Sequence, residues 1–516
     1  MRKHRQRRNR LARTLVAAAS AVSLSLLAGC VGEGVDLGPA SSDRLVRAAI
    51  GGAPDQLDPH QTSSYFSFQV LENVYDTLVE PDENLQMQPA LAESWDISED
   101  QLTWTFHLRE GVTFHDGSDF TAEDVVYSYT RIIDEELANA WRLATVEEVT
   151  ATGEYTVEIG VSQPTPNLLT AIGGFKGMAI VSEDNAESGD IAQHPIGTGP
   201  FSFRDSRDGD YIWLESNPDY WGGAPAVDGV QFSYISEPTT AIAALRSGEV
   251  DWTDSVPPQQ VEALSRDQAI ALDTLVSTDY WYLAMNQDRE PWSDERVRQA
   301  VAYAVDRDSI AQVVGYGTAV VNQLAIPETS PWYAAYDRYS LDPGQAQELM
   351  DEAGVSEASM DLMVSTDYPE TVTAAQVIAD NLAAIGIDVS IRTLDMATWL
   401  DDQDQGEFDA LIMGWLGNLD PDDYYYAQHH SEGPSNAQGY ANPDVDELLD
   451  AGRQELDEDR RRELYAEAAT LIADDVSYLY LYNPSVIQAH AQRLTGYEMR
   501  SDRAVRFRDV NLEEDA

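Results

Sequence analysis

Apolar and polar residues follow two different periods along the chain, and segments of the two kinds alternate. Thr103–Leu108 has apolar side chains at every second position, and residues 155–161 repeat this pattern. Such alternation predicts half-buried strands, because successive side chains of a strand point to opposite faces. Between them, Thr121 precedes two acidic residues and an apolar stripe at helical spacing that runs from Val125 to Ile133. This order predicts a helix with Thr121 as its N-cap.

The same two patterns recur in the second half of the chain. Apolar residues at helical spacing predict helices over 293–305, 371–385 and 458–474, and Gly386 is suited to end the second of them. Strands are expected over 387–391 and 476–482. No repeat of fixed length is present. The mixture predicts an α/β protein with more than one sheet.

Length and charge narrow the class of protein. The chain has 516 residues, enough for roughly three domains, and a net charge of −58. Residues 1–29 hold seven of the basic residues and no acidic residue, so the rest of the chain is more acidic still. A surface this negative repels nucleic acid, which excludes nucleic-acid binding. Lysine occurs only twice, at Lys3 and Lys176, and we take the acidic, lysine-poor surface as an adaptation to a salty medium.

The N-terminus has the organisation of an export signal. Residues 1–13 are basic, residues 14–27 are apolar, and the segment ends in Leu27-Ala-Gly-Cys30, which resembles the lipobox of bacterial lipoproteins. We therefore predict a signal peptide over 1–29, a lipid on Cys30 and a flexible tether over 30–42. No later stretch is long and apolar enough to cross a membrane. The expected location is the outer face of the cytoplasmic membrane, or the periplasm, and export by either the general or the twin-arginine route remains open.

Catalytic motifs are missing from the sequence. It contains no zinc-protease, phosphate-loop or hydrolase-elbow motif, and its one cysteine is Cys30. These observations predict a protein that is not an enzyme and that needs no cofactor and no metal. Aromatic residues, in contrast, cluster in segments expected to be loops: Tyr65-Phe66, Tyr280-Trp-Tyr282, Trp415 and Tyr424-Tyr-Tyr426. Such clusters are typical of core packing or of a ligand pocket.

The order of short motifs resembles the family 5 solute-binding proteins, the extracellular receptors of ABC importers for oligopeptides, dipeptides, nickel and some sugars. The resemblance covers about 45–486. It rests on these segments: Leu57-Asp-Pro-His60, Glu72-Asn-Val-Tyr-Asp-Thr-Leu-Val79, Pro89-Ala-Leu-Ala-Glu-Ser-Trp95, residues 102–117, Thr121-Ala-Glu-Asp-Val-Val126, Pro195-Ile-Gly-Thr-Gly-Pro-Phe201, Asn217-Pro-Asp-Tyr-Trp221, Leu245-Arg-Ser-Gly-Glu-Val-Asp251, residues 296–306, Gly414-Trp415 and Asp420-Pro421.

The resemblance implies a two-lobed receptor of the periplasmic-binding-protein type II, or Venus flytrap, class with an extra α/β domain. The implied division is lobe I from 43–72, 186–276 and 483–516, the extra domain from 73–185, and lobe III from 277–482. The crossovers near 277–281 and 482–486 would form the hinge. Such a receptor captures a peptide by cleft closure, acts as a monomer and delivers the peptide to a membrane permease and its ATPase. A glycan fragment, an opine-like compound or a nickel chelate remains an alternative ligand, and a surface hydrolase is the alternative of a different class.

The resemblance also suggests ligand contacts. In peptide-binding relatives a Gly-Trp pair is followed by an Asp that binds the peptide amine. The matching position here is Asn418, after Trp415, while Asp420 lies two residues further on and is a second candidate. An aromatic contact of the relatives corresponds to Met396.

Three aromatic residues on the first crossover complete the predicted site. Strand alternation directs Tyr280 and Tyr282 to one side and Trp281 to the other, and at least one side is expected to face the cleft.

Overall fold

The computed structural model describes residues 44–174, 176–416 and 419–513. The predicted signal peptide, Cys30, the tether and Asn418 therefore lie outside the described residues.

Strands are distributed along the whole described chain. In chain order they are β1 (Leu45–Ile50), β2 (Val79–Pro81), β3 (Met87–Pro89), β4 (Ala92–Ile97), β5 (Thr103–Leu108), β6 (Val146–Gly153), β7 (Thr156–Val161), β8 (Phe201–Arg207), β9 (Tyr211–Ser216), β10 (Gly229–Tyr234), β11 (Trp252–Thr253), β12 (Ile270–Val276), β13 (Tyr280–Met285), β14 (Ala358–Ser365), β15 (Ile387–Leu394), β16 (Ala410–Trp415), β17 (Tyr478–Tyr482), β18 (Ser485–Ala491), β19 (Leu494–Thr495) and β20 (Asn511–Leu512).

Helices separate most of these strands. They are α1 (Tyr65–Leu71), α2 (Ala122–Asp134), α3 (Leu168–Gly173), α4 (Glu183–Glu187), α5 (Pro238–Ser247), α6 (Val261–Leu264), α7 (Glu295–Ala304), α8 (Arg307–Gly315), α9 (Pro343–Ala353), α10 (Pro369–Ala383), α11 (Met396–Asp404), α12 (Pro421–His429), α13 (Pro443–Gly452) and α14 (Glu458–Asp474), with short 3₁₀ helices at Ala140–Leu143, Lys176–Met178 and Pro258–Gln260.

Three larger sheets organise the fold. A seven-stranded mixed sheet has the order β12-β18-β11-β1-β10-β9-β8, and a five-stranded mixed sheet has the order β15-β14-β16-β13-β17. A four-stranded antiparallel sheet has the order β4-β5-β7-β6. Strand β18 comes from the C-terminal end of the chain and lies between β12 and β11, antiparallel to both.

Each of these sheets has its own hydrophobic core. The core of the seven-stranded sheet, the first core, draws buried residues from 46–75, 179–252 and 494–512. The second core lies on the four-stranded sheet and uses residues within 78–180. The third core, on the five-stranded sheet, uses residues within 280–482. Distant parts of the chain therefore share the first core, whereas the other two cores are each continuous in sequence.

Local sequence explains why the helices begin where they do. Thr121 precedes α2 as predicted, and its backbone N–H donates to the Asp124 carboxylate at 2.8 Å, which forms a capping box. Helix α10 begins at Pro369, two residues before the predicted start, because proline is well suited to the first turn of a helix. Gly386, predicted as the stop, has a φ of +81° just beyond the end of that helix.

The chain passes twice between the seven-stranded and five-stranded sheets, and the two crossovers lie side by side. The first joins β12 to β13 and the second joins β17 to β18. The backbone N–H and the hydroxyl of Ser277 both donate to the Pro484 carbonyl at 2.9 Å. The Asn483 amide donates to the Asp279 carbonyl at 2.8 Å. These bonds join the two crossovers to each other, so they form a paired connection between the sheets.

Within the described ranges, none of the helices combines the length and the apolar character that a membrane crossing requires.

Candidate ligand-binding site

A cavity of about 340 Å³ opens beside the paired crossovers. Pro258 and Gln259, from the side of the seven-stranded sheet, form one wall. The remaining lining comes from the crossovers and from elements on the side of the five-stranded sheet: Trp281, Val313, Val314, Gly315, Tyr316, Thr318, Ala319, Pro369, Glu370, Thr373, Tyr482, Pro484 and Ser485. The volume is within the range of small-molecule pockets, roughly 300–1,000 Å³. Because its walls belong to both sides of the double connection, the cavity changes shape whenever the two sheets move relative to each other.

Trp281 lines this cavity from the start of β13. Its ring packs edge-on against Tyr368 with centroids 5.4 Å apart, and it stacks on Tyr482 at 6.4 Å. On the next strand, Gly414 lies directly against the indole: a Cβ at Gly414 would be 2.9 Å from the ring and 2.9 Å from the Tyr280 carbonyl oxygen. The absence of a side chain at Gly414 therefore allows Trp281 its position.

Tyr280 and Tyr282 lie on the opposite face of β13, in the third core. Each is 1% exposed. Tyr282 stacks on Tyr478 with ring centroids 3.8 Å apart, and Tyr280 stacks on Tyr424 at 5.8 Å. Burial raises the pKa of Tyr282 to about 12, although nearby hydrogen-bonding groups lower it in part. Ligand contact of Tyr280 and Tyr282 stays a prediction that this packing argues against, because the sheet directs both rings into the core, whereas Trp281 lines the cavity.

Trp415 ends β16 and lies opposite Tyr280 in the strand register. Its side chain is half-buried and packs on the third core, with the indole N–H near the hydroxyls of Tyr282 and Tyr478. The next residue, Leu416, is 51% exposed. Trp415 thus lies at the boundary between the core and the surface, where one part of the ring packs and another part is accessible.

Asp420 makes a buried ion pair. Arg461 donates to its two carboxylate oxygens at 2.7 and 2.6 Å, and both side chains are nearly inaccessible. Asp420 also accepts the backbone N–H of Asp422 at 2.9 Å and so caps α12. Binding of a ligand amine by Asp420 stays a prediction, and the bonds of its carboxylate to a guanidinium and a helix end argue against it. Asn418, the other candidate, lies outside the described residues.

Met396 is the first residue of α11 and is half-buried against the third core. Its backbone N–H donates to the Asp367 carboxylate at 3.2 Å. The side chain lies outside the wall of the 340 Å³ cavity. Contact between Met396 and a ligand stays a prediction.

A group of charged residues near the crossovers carries no sequence motif that would single it out. The guanidinium of Arg503 forms an ion pair with Asp279, and the Gln69 amide donates to Asp254 at 2.6 Å. Burial raises the pKa of Asp254, against the opposing effects of Gln69, Ser255 and Arg503. Arg503 has a φ of +63°, a conformation that is uncommon outside glycine. In a chain with 90 acidic residues, no composition signal distinguishes these carboxylates from the others.

Comparison with known proteins decides the family. Residues 86–437 match the family described as bacterial extracellular solute-binding proteins, family 5, middle region. The chain belongs to this family. Its members are binding proteins of the periplasm or the extracellular space rather than enzymes.

Individual relatives cover nearly the whole chain. This solute-binding protein is 28% identical to di/tripeptide-binding protein 2 of Pseudomonas aeruginosa over 532 residues, which cover 95% of this chain and 98% of the relative. The structure of HbpA2 from Haemophilus parasuis matches with a TM-score of 0.84 and 25% identity, covering 91% of this chain and all of that one. The periplasmic binding protein DppA of Helicobacter pylori, in complex with the peptide STSA, matches with a TM-score of 0.77 and 28% identity, covering 91% of this chain and 98% of that one. The predicted fold class, a type II periplasmic binding protein with an extra α/β domain, is confirmed.

Proposed function

We propose that this solute-binding protein captures short peptides in a cleft beside the paired crossovers and delivers them to the permease and ATPase of an ABC importer. The observation that carries the proposal is the cavity whose walls come from both sides of the double connection. Its relatives in Pseudomonas aeruginosa and Helicobacter pylori, named or solved with peptides, support a peptide as the ligand.

Ligand capture follows from the different numbers of contacts that the ligand makes in the open and closed forms. In an open form only one wall touches the ligand, whereas in a closed form both walls do. The ligand therefore favours closure by the free energy of the additional contacts. The crossovers are the only two covalent links between the sheets in the described chain, and hydrogen bonds such as Ser277 to Pro484 join them. Rotation about this pair moves the two sheets as rigid bodies, and the permease then distinguishes the closed form.

Four of the predicted ligand contacts remain in the proposal. Trp281 lines the cavity and Trp415 is accessible at the edge of the third core. Asn418 would accept a hydrogen bond from the peptide amine, and Met396 would contact a side chain. Asn418 carries no charge, so the amine would be held by hydrogen bonding rather than by an ion pair.

The division into lobe I, an extra domain and lobe III is part of the proposal. It is supported by the three separate cores, whose residues fall within 46–75 with 179–252 and 494–512, within 78–180, and within 280–482. We further propose that the protein works as a monomer.

Native mass spectrometry of the protein as purified tests the function. We expect added masses that match short peptides, and we expect isothermal titration of protein refolded without ligand to give heat with a mixed tripeptide library. The outcome that contradicts peptide capture is a bound glycan, opine-like compound or metal chelate together with no heat from the peptide library. Turnover of any bound compound would instead support a hydrolase.

Membrane attachment through a lipid on Cys30 is the remaining part of the proposal. Cells grown with a clickable fatty acid should label the wild-type protein and retain it in the membrane fraction. Cys30→Ala should abolish the label, since it removes the thiol that takes the lipid. Equal labelling of the two proteins would contradict a lipid on this residue.

A further inference from the structure

Glu370 brings one carboxylate to the wall of the 340 Å³ cavity. It occupies the first turn of α10, and Thr373, one turn later, lines the same cavity. The side chain is half-buried, and no ion pair of Glu370 is found over 44–174, 176–416 and 419–513. Burial raises the pKa of Glu370 above its usual value, against weaker effects of its own backbone and of Arg503. A carboxylate that has lost part of its hydration and has no cation in contact attracts one.

The surrounding charge favours a cation. Arg503 is the basic group that acts on Glu370 through space, and its guanidinium already contacts Asp279. Asp254 adds a second carboxylate close to Arg503. Carboxylates therefore outnumber guanidinium groups in this part of the molecule, and Glu370 is the one among them that lines the cavity.

The rest of the cavity wall is suited to an aliphatic chain. Trp281 and Tyr482 contribute aromatic rings, and Val313, Val314 and Ala319 contribute apolar side chains. A lysine or arginine side chain has this same division, with an apolar stem and a charged end. Aromatic rings also attract a cation held over or beside them.

We propose that the cavity is a subsite for a cationic side chain of the bound peptide, with Glu370 as the counter-charge and the aromatic and apolar wall around the stem. This inference rests on the proposed peptide capture. It predicts that the receptor prefers peptides with one lysine or arginine at the position that enters the cavity.

Paired tripeptides test the subsite. Each of the three positions of trialanine is replaced in turn by lysine or by norleucine, which has the same stem without the charge. Dissociation constants are measured by isothermal titration of the full chain. For one position we expect lysine to bind about tenfold more tightly than norleucine, as is usual for a hydrogen bond to a charged group. Glu370→Gln should remove this difference while norleucine peptides bind as before.

Two further variants complete the test. Glu348→Gln, on an exposed part of α9, makes the same change of charge away from the cavity and should keep the preference for lysine. Thr373→Lys places a competing cation one turn from Glu370 and should remove the preference even if Glu370→Gln fails to fold.

The possible failures are distinguishable. Equal binding of lysine and norleucine at every position, or a preference that survives both Glu370→Gln and Thr373→Lys, overturns the subsite and leaves peptide capture intact. Absence of binding by every tripeptide overturns peptide capture and the subsite together.

Discussion

Arg461 donates two hydrogen bonds to Asp420, at 2.6 and 2.7 Å, and neither side chain is more than 4% exposed. The pair joins the N-terminus of α12 to the N-terminal part of α14, on which Arg461 lies. Removing one charge of such a pair leaves the other buried without a partner, which is strongly destabilising.

Asp420→Ala is therefore expected to lower the free energy of unfolding by about 3–5 kcal/mol. Denaturant unfolding followed by circular dichroism measures this change. Glu262→Ala, which breaks the exposed pair with Arg266, is the control and should change stability by less than about 1 kcal/mol. Loss of peptide affinity with unchanged stability in Asp420→Ala would instead support direct binding of the ligand amine.

Gly414→Ala is expected to displace Trp281, because the added Cβ would be 2.9 Å from the indole ring. Overpacking of this kind typically costs about 1–3 kcal/mol, and movement of Trp281 should also weaken ligand binding. Tryptophan fluorescence and ligand titration measure the two effects. Gly153→Ala is the matched control, since a Cβ there would be no closer than 3.5 Å to its nearest neighbour. If Gly414→Ala changes neither the stability nor the ligand affinity, strands β13 and β16 are able to move apart and accommodate the added methyl group.

Trp415→Ala and Tyr282→Ala separate ligand binding from packing. Tyr282 is 1% exposed, so its truncation should cost about 3–5 kcal/mol of stability. Trp415 is half-buried, so its truncation should cost less stability while lowering ligand affinity. Thermal unfolding and isothermal titration on both variants provide the comparison. If Trp415→Ala loses as much stability as Tyr282→Ala and keeps its affinity, Trp415 is a packing residue.

His429 makes stability depend on pH. Its ring is fully buried, with Nε2 2.9 Å from the Tyr480 hydroxyl and Nδ1 2.8 Å from the Ser477 hydroxyl. Burial lowers the pKa of His429 to about 3, against roughly 6.5 in the unfolded chain. Below about pH 6.5 the unfolded state therefore binds a proton that the folded state does not bind, and the free energy of unfolding decreases as the pH falls.

Between pH 7 and pH 5, the free energy of unfolding of the wild type should fall by about 2 kcal/mol relative to that of His429→Gln. Denaturant unfolding at a series of pH values tests this, and the comparison cancels the contributions of the many carboxylates. His107→Gln, at a surface-exposed histidine, serves as the control and should follow the wild type. Parallel pH profiles for wild type and His429→Gln would contradict the buried neutral imidazole.

The strong negative charge predicts stabilisation by salt. With a net charge of −58, counterions should screen self-repulsion and raise the melting temperature as potassium chloride is added. Sucrose at matched viscosity is the control for general solvent effects. Equal melting temperatures with and without molar salt would contradict adaptation to a salty medium.

The regular elements were largely predictable from local pattern. Strand Thr103–Leu108 and helix Glu458–Asp474 have the predicted bounds. Strand β17 begins at Tyr478 instead of residue 476, because Val476 has a φ of +51° and Ser477 still belongs to the turn. Such backbone turns carry no hydrophobic signal.

The candidate site was less accessible to sequence reasoning. The alternation of side chains along β13 placed Trp281 on one face of the strand and Tyr280 and Tyr282 on the other, but it did not show which face is buried in the core. The buried face is the one that packs against Tyr478, nearly two hundred residues later. The partner of Asp420 is Arg461, which is 41 residues away on another helix, and no short motif indicates this pairing. Contacts between distant segments decide which polar groups remain available to a ligand, and single-residue patterns do not contain that information.

The position of β18 has a consequence for biogenesis. This strand fills the place between β12 and β11, so the seven-stranded sheet has a gap until residues 485–491 have been synthesised. The segment 494–512 contributes to the same core. Nascent chains that stop before this point lack a completed first core, although the residues of the second and third cores are already present in them. Because of this topology, the first core can be completed only at the end of synthesis.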